Sequence, residues 1–365
     1  MNERLRIGRS ITSNVEKLIS CHPDSLEKIA NGENSPILLH LSPTNVCDSA
    51  CIHCCFSGRD KTLNLPFDLL KDSINQFKEL GIKSVEFTGG GEPTMYGFPE
   101  RKWLINPAIE YVVDKQNLAL GMNTNGLNVE RITEENWKKF SWVRVALNVF
   151  DSKNEKRIEK FKENVQKIKE LTNVTACYIV PREIGFKNLE AVVEYANKEN
   201  ITTRIAPDCI QTCEEIANTT NLIRKNLNSY GNQKKAILSD FNIYLFERKN
   251  KNCMSPVIKP FLFTDGFVYA CPSSELAPEN GRTMQPKFKI CHGSEVIKTY
   301  KNLIFKKQSC SYCKYSAQND FLQKLIQTGS IEEAYIQFRK ESTKKDILQE
   351  LEEIKKTKFN DKEFV

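Results

Sequence analysis

Three cysteines, Cys47, Cys51 and Cys54, have the spacing C-x-x-x-C-x-x-C within the segment LSPTNVCDSACIHCCFSGRD. Three thiolates at this spacing can bind three irons of a cubane 4Fe–4S cluster. The fourth iron then keeps an open position for a ligand that the protein does not supply. The spacing therefore indicates redox chemistry at an iron–sulfur centre.

A structural zinc site is the alternative for these cysteines. Zinc sites close their shell with four protein ligands, and no fourth ligand follows Cys54 at the usual spacing. His53 lies between two of the cysteines and cannot easily bend back onto the same metal. The chain contains 13 cysteines and no sign of secretion, which favours metal or redox use over a chance grouping.

The composition is that of a globular protein. Its 365 residues, 40% of them hydrophobic, are enough for two or three domains with a sizeable core. The formal charge of +7 is spread along the sequence, so a nucleic-acid partner is allowed but not indicated. The segment MNERLRIGRSITSN has no apolar signal-peptide region, and no stretch is long enough to span a membrane. We therefore expect a cytoplasmic protein with reduced thiols and no membrane partner.

Apolar runs of strand type alternate with longer amphipathic segments from Pro36 onward, a pattern typical of parallel βα units. Leu70, Ile74 and Phe77 recur at i, i+4 and i+7 and predict a helix after Pro66. Strands are predicted at residues 37–41, 84–87, 117–122, 142–150, 174–180 and 202–206, and further helices near 107–115, 154–171 and 187–199. Six such units predict an α/β fold built on a partial (β/α)6 TIM-like barrel.

Three polar motifs follow strands of this predicted barrel. The cysteine loop follows the first strand, Gly89–Pro93 (GGGEP) the second, and Asn123–Gly126 (NTNG) closes the third. Active sites of such barrels lie at the carboxyl ends of the strands. A glycine run there lets the backbone approach a ligand closely, although an ordinary strand-to-loop turn is the alternative. We expect the three motifs to meet at one rim.

The cysteine spacing and the GGGEP segment together resemble the radical S-adenosylmethionine (radical SAM) superfamily, from roughly Pro36 to Ala206. The resemblance implies a 4Fe–4S cluster coordinated by Cys47, Cys51, Cys54 and the methionine moiety of SAM. It implies that SAM is reductively cleaved to a 5′-deoxyadenosyl radical, which abstracts a substrate hydrogen. An external one-electron donor, such as flavodoxin or ferredoxin, is then expected as a partner.

The resemblance also implies cofactor-binding roles for residues after the second and third strands. Gly90, Gly91 and Glu92 are expected to bind the methionine amino group of SAM. Asn123 and Asn125 can contact SAM or substrate, and a capped turn explains them equally well.

The fourth strand departs from the family pattern. The family often has Ser-x-Asp near the ribose or carboxylate of SAM, where this chain has Ala146 and Asn148. Asn148 can form hydrogen bonds but brings no charge. Arg144 lies on the same strand face and can reach the SAM carboxylate, a core or surface salt bridge being the alternative.

Four further cysteines lie in the last third of the chain: Cys253, Cys271, Cys310 and Cys313. They resemble the auxiliary-cluster module called SPASM, or its shorter form twitch, which holds one additional 4Fe–4S cluster. Cys253 and Cys271 would flank a hairpin, FLFTDGFVYAC, whose Asp265–Gly266 is a good turn. A zinc ribbon is the alternative, and Cys291 is a spare ligand candidate.

The predicted organisation has five parts. They are an N-terminal helical lead-in (1–35), the radical SAM partial barrel (36–215), a helical linker (216–250), a small cysteine-rich auxiliary-cluster domain (251–320) and a charged helical tail (321–365). We expect the tail to be solvated because it is rich in Glu and Lys.

These features predict a radical SAM oxidoreductase acting on a peptide side chain or a small polar metabolite. A fully ligated auxiliary cluster favours net oxidation, whereas three thiolates would leave an iron for anchoring substrate. Residues 1–46 are short for a peptide-leader domain, which disfavours a leader-dependent maturase. One alternative is an enzyme that modifies nucleotides or nucleic acid, although basic and aromatic residues are not interleaved in a clear block. The other is a non-catalytic zinc- or cluster-binding module, which would not need GGGEP.

Overall fold

The computed structural model describes residues 14–100, 103–229, 236–238, 248–272, 284–302, 306–310, 313, 315–339 and 343–364. Parts of the predicted lead-in and linker therefore lie outside the described residues. In the described part of the chain, no helix is both long enough and apolar enough to cross a lipid bilayer.

A ten-stranded sheet forms the centre of the fold, in the order β11-β10-β9-β1-β2-β3-β4-β5-β6-β7. Its strands are β1 Leu38–Leu41, β2 Ser84–Phe87, β3 Ala119–Thr124, β4 Trp142–Ala146, β5 Val174–Val180, β6 Thr203–Pro207, β7 Ala236–Leu238, β9 Phe261–Leu262, β10 Phe267–Tyr269 and β11 Lys289–His292. Strands β8 (Arg248–Cys253) and β12 (Lys306–Cys310) form a separate antiparallel pair.

Strands β1 to β7 are all parallel to their neighbours. Strands β2 and β5 have the predicted bounds, whereas β4 ends at Ala146 because residues Leu147–Asp151 form a 3-10 turn. The α/β fold and partial TIM-like barrel predicted from the sequence are thus confirmed. Beyond the six predicted strands, β7 extends the parallel sheet at one edge.

Helices cover the outer face of the sheet and one end of the molecule. They are α1 Val15–Cys21, α2 Pro23–Ala30, α3 Phe67–Glu79, α4 Ile105–Glu110, α5 Glu134–Trp137, α6 Glu155–Lys169, α7 Leu189–Lys198, α8 Cys213–Ser229, α9 Ser255–Ile258, α10 Val296–Thr299, α11 Ser316–Thr328, α12 Ile331–Phe338 and α13 Lys344–Lys356. Helix α3 follows Pro66 and buries Leu70, Ile74 and Phe77, as their spacing predicts. One π-helical turn, Tyr111–Lys115, continues α4.

The two faces of the parallel strands differ in burial. Outward side chains such as Val85, Leu120 and Val143 are fully buried in the main core beneath the helices. Inward side chains of β2 to β6 such as Glu86 and Arg144 are only half-buried. Since neighbouring positions on a strand point to opposite faces, the sheet encloses a polar lumen inside an apolar shell.

A β-hairpin extends the other edge of the barrel. Strand β9 pairs in parallel with β1 and antiparallel with β10. The turn contains Gly266, whose φ of +82° is in the region that favours glycine. The hairpin predicted from FLFTDGFVYAC is therefore present, and it lies against the strand that leads into the cysteine loop.

The lead-in helices α1 and α2 pack with the last three helices in a second core. Leu18 and Leu26 are fully buried there, together with Phe321 and Tyr335. The charged tail was expected to be solvated, and this expectation is wrong for its apolar face. Charged residues are interspersed with the apolar ones in the tail sequence. The apolar face of the tail helices was therefore overlooked, and α1 and α2 cover it.

The segment Thr357–Phe364 closes the amino-terminal end of the barrel. Phe364 packs edge-on against Trp142 of β4, with ring centroids 5.3 Å apart. The Ser84 hydroxyl donates a hydrogen bond to the Glu363 carbonyl, 2.6 Å away. A Cβ on Gly121 would lie 2.4 Å from the Trp142 ring and 3.0 Å from the Phe364 ring. Only glycine at position 121 therefore leaves room for this aromatic floor.

Candidate active site at the carboxyl ends of the barrel strands

The cysteine loop begins directly after β1 and is fastened at its base. Thr44 and Asn64 form an isolated antiparallel bridge. The Asn45 amide donates to the Leu63 carbonyl and the Leu65 amide to the Pro43 carbonyl, each at 2.9 Å. The ends of the loop are therefore held together, which limits the positions open to Cys47, Cys51 and Cys54.

Arg59 fastens the interior of the cysteine loop. Its side chain is 7% exposed, its Nε donates to the Asn45 carbonyl at 2.9 Å, and its Nη1 donates to the Phe56 carbonyl at 2.7 Å. Nη1 also lies 3.6 Å from the Cys54 sulfur. A buried guanidinium thus connects the start of the loop to one of the three predicted ligands.

Two thiols of the loop, those of Cys47 and Cys51, have raised pKa values. Burial raises the pKa of Cys47 to about 11, and nearby carboxylates of Glu92 and Asp48 act in the same direction. Burial also raises the pKa of Cys51. Both thiols are therefore protonated at neutral pH without a metal, and metal binding would release their protons.

The predicted GGGEP segment packs against the cysteine loop. The Gly90 amide donates to the Ser42 hydroxyl at 3.0 Å, and the Glu92 amide donates to the Val46 carbonyl at 2.8 Å. A Cβ on Gly90 would lie 1.9 Å from Asn45 Oδ1, and one on Gly91 would lie 2.2 Å from the Val46 carbonyl. The glycines are thus needed for contact between two segments of the protein itself.

The carboxylate of Glu92 is buried and accepts four hydrogen bonds. Its donors are the Thr94 amide and hydroxyl, the Thr124 hydroxyl at 2.7 Å and the Asn125 amide at 2.7 Å. Burial raises the pKa of Glu92, and these hydrogen bonds oppose the rise. The side chain that was predicted to meet SAM therefore joins the GGGEP and NTNG turns.

Asn123 and Asn125 lie at the end of β3 but point in different directions. Asn125 Nδ2 donates to Asp48 Oδ1 at 2.6 Å, which ties the NTNG turn to the cysteine loop. Asn123 Nδ2 donates to Glu86 Oε1 at 2.6 Å, inside the barrel. The predicted meeting of the three motifs at one rim is confirmed by these contacts.

A cleft of about 490 Å³ opens beside the cysteine loop. Its lining includes Cys51, His53, Asn125, Ala146, Asn148 and Asp151. Arg157 of α6 also lines it and donates to the Ser49 hydroxyl at 2.5 Å. The larger cavity of about 640 Å³ lies between the lead-in helices and α12 and contains none of the predicted site residues.

Asn148, the predicted site residue, carries no charge, but its neighbour Asp151 places a carboxylate in the same part of the cleft. Asn148 Nδ2 donates to Asp151 Oδ2 at 2.8 Å and to the Ile179 carbonyl at 2.8 Å. Asp151 Oδ1 accepts from the Tyr178 hydroxyl at 2.8 Å and from Asn188 Nδ2 at 2.9 Å. Asp151 was not predicted from the sequence, because the predicted strand 142–150 directed attention to its alternate positions, whereas the strand ends at Ala146 and Asp151 closes the turn that follows.

The sequence profile described as Radical SAM superfamily matches residues 41–196, which include the cysteine loop, GGGEP and NTNG. The chain contains a radical SAM domain. The family implies an enzyme that uses SAM and a 4Fe–4S cluster. A comparison with curated protein sequences gives no match.

Solved structures of two other proteins have the same fold at low sequence identity. Native anSMEcpe with bound AdoMet matches with a TM-score of 0.52 and 15% identity, over 88% of this chain and 100% of that one. Streptococcus suis SuiB bound to its precursor peptide SuiA matches with a TM-score of 0.50 and 14% identity, over 68% of this chain. The match covers 62% of the SuiB chain, slightly less than two thirds of its length.

The cysteine loop fits the anionic cluster that the family implies in the charge beside Cys54. Among the described residues, no three His, Cys, Asp or Glu side chains converge as the ligands of one ion do. Cys47, Cys51 and Cys54 form no disulfide, and the Arg59 cation beside Cys54 suits an anionic cluster.

The cysteines predicted to hold an auxiliary cluster are only partly brought together. The β8–β12 register pairs Cys253 with Lys306 and Cys310 with Arg248, at opposite ends of the ladder. Four residues of strand separate these ends by about 13 Å. The side chain of Cys310 lies outside the described part of the structure.

Asn319 of α11 connects two of the other auxiliary cysteine positions. It is 2% exposed, its Oδ1 accepts from the amide of Met254, the residue after Cys253, and its Nδ2 donates to the Cys313 sulfur at 3.7 Å. Cys313 therefore lies near the end of β8. Cys271 follows β10. No sequence pattern pointed to the role of Asn319.

Aromatic side chains fill the space between the cysteine loop and the hairpin. Phe56 stacks on Phe263 with ring centroids 5.8 Å apart, and Phe261 lies between them and Gly89. Cys54 and Cys55 pack against this cluster. These aromatic side chains exclude water from one side of the cysteines that are predicted to bind the iron–sulfur cluster.

Proposed function

We propose that this chain is a radical SAM oxidoreductase whose Cys47, Cys51 and Cys54 hold a 4Fe–4S cluster beside bound SAM. When bound, the cluster supplies the electron that cleaves the sulfonium carbon–sulfur bond of SAM, which generates a 5′-deoxyadenosyl radical. The protein must orient SAM, exclude water and hold the target hydrogen close to the radical carbon.

One observation carries this proposal. The carboxylate of Glu92 and the amide of Asn125 join all three motifs at one rim, because Asn125 also binds Asp48 of the cysteine loop. The cleft described above opens at this junction. A metal-binding module without catalytic activity has no need of such a convergence.

The cleft has charges that complement SAM. Asp48 and Asp151 can attract the amino group, the sulfonium and the ribose hydroxyls, while Arg157 can pair with the carboxylate. His53 lines the same cleft and can contact the adenine ring. These residues complete the SAM site that the sequence expected from Asn125 and Asn148.

We infer that the amino group of SAM is bound by the backbone of Gly90, Gly91 and Glu92. The carboxylate of Glu92 already accepts four hydrogen bonds, so it has little capacity left for a further donor. The backbone carbonyls of a turn rich in glycine can instead face the ligand. Glu92 is then a positioning residue for the turn.

We further propose an auxiliary 4Fe–4S cluster with Cys253, Cys271, Cys310 and Cys313 as ligands. The proximity of Cys313 to the end of β8 supports it. The distance between Cys253 and Cys310 in the β8–β12 ladder weighs against all four binding at once, and favours three thiolates or Cys291 as a replacement. Three thiolates would leave an iron for substrate.

A peptide is the favoured substrate class, with a small polar metabolite as the alternative. SuiB was solved with its precursor peptide and anSMEcpe with the Kp18Cys peptide, and both have this fold. The electron would come from an external donor such as flavodoxin or ferredoxin. A cytoplasmic location would keep the thiols reduced.

The test is anaerobic reconstitution followed by assay of iron, sulfide and 5′-deoxyadenosine formed from SAM and dithionite. We expect about eight irons per chain in the wild type and about four when Cys47, Cys51 and Cys54 are all changed to Ala. Deoxyadenosine should disappear in this triple variant and persist in Cys55→Ala, a matched control in the same loop. Zinc in place of iron, or a loaded wild type that never cleaves SAM, would refute the proposal.

The auxiliary cluster is tested separately with Cys313→Ala and Cys291→Ala. We expect Cys313→Ala to lose up to four irons while it still forms deoxyadenosine. Full iron content in Cys313→Ala would exclude Cys313 as an essential ligand. Loss of iron in Cys291→Ala would assign Cys291 to the cluster.

A further inference from the structure

Asn188 occupies a position at which asparagine normally caps a helix, but its side chain has another partner. It directly precedes α7, yet its side chain makes no capping hydrogen bond to that helix. Its Nδ2 instead donates to Asp151 Oδ1 at 2.9 Å. An asparagine at this position usually accepts from an amide of the first helical turn, which stabilises the helix. The chain therefore uses this side chain to hold the Asp151 carboxylate rather than to cap α7.

Tyr178 holds the same carboxylate oxygen from strand β5. Its side chain is fully buried, and its hydroxyl donates to Asp151 Oδ1 at 2.8 Å. Burial raises the pKa of Tyr178, and the charge of Asp151 acts in the same direction. The hydroxyl therefore keeps its proton and is the donor in this contact.

Asn148 holds the other carboxylate oxygen and is itself fixed to β5. Its Nδ2 donates to Asp151 Oδ2 and to the Ile179 carbonyl, each at 2.8 Å. Its Oδ1 accepts from the Ile179 amide at 3.0 Å. Both amide hydrogens and the carbonyl oxygen of this side chain are thus used within the protein. Asn148 therefore has little capacity left for a contact with SAM.

These three donors leave one acceptor position on the Asp151 carboxylate. Each carboxylate oxygen offers two lone pairs. Oδ1 uses both of them, for Tyr178 and Asn188, whereas Oδ2 uses one for Asn148. Asp151 lines the cleft beside the cysteine loop. The remaining lone pair of Oδ2 is therefore the one that a bound ligand would use.

The donors also fix the direction in which Asp151 presents this lone pair. An aspartate side chain turns about two bonds, and a hydrogen bond weakens steeply when its angle is poor. Donors on both carboxylate oxygens determine both rotations. A donor group of SAM then meets an acceptor that is already oriented, so binding does not have to order it.

We propose that Tyr178 and Asn188 are positioning residues of the SAM site and act on SAM only through the Asp151 carboxylate, an inference that rests on the proposed function. Neither side chain is among those that line the cleft, so neither is expected to touch SAM. Loss of either donor should weaken SAM binding by letting Asp151 rotate. The same loss should have no effect once the carboxylate itself is removed.

The test is a double-mutant cycle on the affinity for SAM, measured by equilibrium dialysis of the reconstituted protein with labelled SAM. We expect Tyr178→Phe and Asn188→Ala each to weaken SAM binding about fivefold, the effect of about one hydrogen bond. Added to Asp151→Ala, either change should weaken it no further. Tyr195→Phe is the matched control and should bind SAM as the wild type does, because the buried Tyr195 hydroxyl has no hydrogen-bond partner among the described residues.

Two results would overturn the inference. Wild-type affinity in both single variants, with native circular dichroism, would show that Asp151 does not need these donors. A fivefold loss that persists in the Asp151→Ala background would show that the two residues act on the cleft by another route. If Tyr178→Phe does not fold, the Asn188 arm of the cycle decides, because Asn188 is only half-buried. A wild type that binds no SAM would instead refute the proposed function, and the inference with it.

Discussion

Individual side chains at this rim have two kinds of task, holding the loops together and facing the cleft. Glu92 belongs to the first kind, since its buried carboxylate receives donors from two turns. Asp151 belongs to both, because it accepts from Tyr178 and Asn188 and also lines the cleft. A motif residue can therefore matter for the site without contacting the ligand.

Arg59 provides a test of how the cysteine loop is held. Arg59→Gln removes a buried cation and its hydrogen bonds to the Asn45 and Phe56 carbonyls and to the Cys54 sulfur. We expect less iron after gel filtration and a lower midpoint potential, because hydrogen bonds to cluster sulfurs raise it. A redox titration followed by electron paramagnetic resonance measures the potential.

Arg59→Lys is the control for this prediction, since it retains the charge but cannot make all three contacts. It should lie between the wild type and Arg59→Gln in iron retention. A wild-type potential in Arg59→Gln would show that the contact to Cys54 has no effect on the cluster.

Asp151 gives a second prediction at the residue scale. Asp151→Asn keeps the shape of the side chain but removes the charge in the cleft. We expect the affinity for SAM to fall about tenfold, which corresponds to about 1.4 kcal/mol, as for loss of one charge-assisted hydrogen bond. Equilibrium dialysis with labelled SAM measures it, and Asp72→Asn on the exterior of α3 is the control. Unchanged SAM affinity would remove Asp151 from the site.

At the scale of helices and strands, local patterns predicted much of the fold. The bounds of β2 and β5 and the buried face of α3 depend on residues close in sequence, so periodicity was sufficient. The burial of α13 was not predictable in this way, since its partner α1 lies at the other end of the described chain. The site shows the same division: the three motifs were recognisable, whereas Arg59 and Asp151 depend on how loops fold back.

His22 gives a prediction at this scale, because it lies between α1 and α2 and contacts the Lys362 carbonyl through Nε2 at 2.7 Å. Burial lowers the pKa of His22 to about 4. The unfolded chain, with a pKa of about 6.5, therefore takes up the proton first as the pH falls. The free energy of unfolding should then drop by about 1.2 kcal/mol from His22 alone between pH 7 and pH 5.5.

Urea denaturation at the two pH values measures this drop, and His22→Gln should show a correspondingly smaller one. Burial also lowers the pKa of His53. His53 therefore makes its own contribution to the drop in the free energy of unfolding, and the His22→Gln variant retains that contribution. An identical drop in the wild type and the variant would mean that His22 is not buried as a neutral side chain.

At the scale of the whole molecule, the first and last described helices form one layer that supports the floor of the lumen. Thr357–Phe364 continues from this layer onto the barrel strands. The rim that carries the cysteines lies at the opposite end of the same strands. The aromatic floor and the cysteine rim therefore lie at opposite ends of the barrel strands.

Phe364→Ala tests this closure. The side chain is 7% exposed and packs on Trp142, so we expect a loss of about 3 kcal/mol in the free energy of unfolding and a red shift of tryptophan emission. Phe359→Ala makes the same change in the same segment at a half-buried position and should cost about 1 kcal/mol or less. Equal losses in the two variants would show that Phe364 has no special role in the floor.

The aromatic floor is synthesised later than the barrel strands that it closes, because Phe364 lies near the end of the described chain. The ribosome completes β6 at Pro207, and Phe364 follows 157 residues later in the numbering. At about 5–20 residues per second, about 8 to 30 s pass between the synthesis of β6 and that of Phe364. During this interval the cysteine loop has already been synthesised and the aromatic floor has not, so iron and sulfide can reach Cys47, Cys51 and Cys54 before the floor forms.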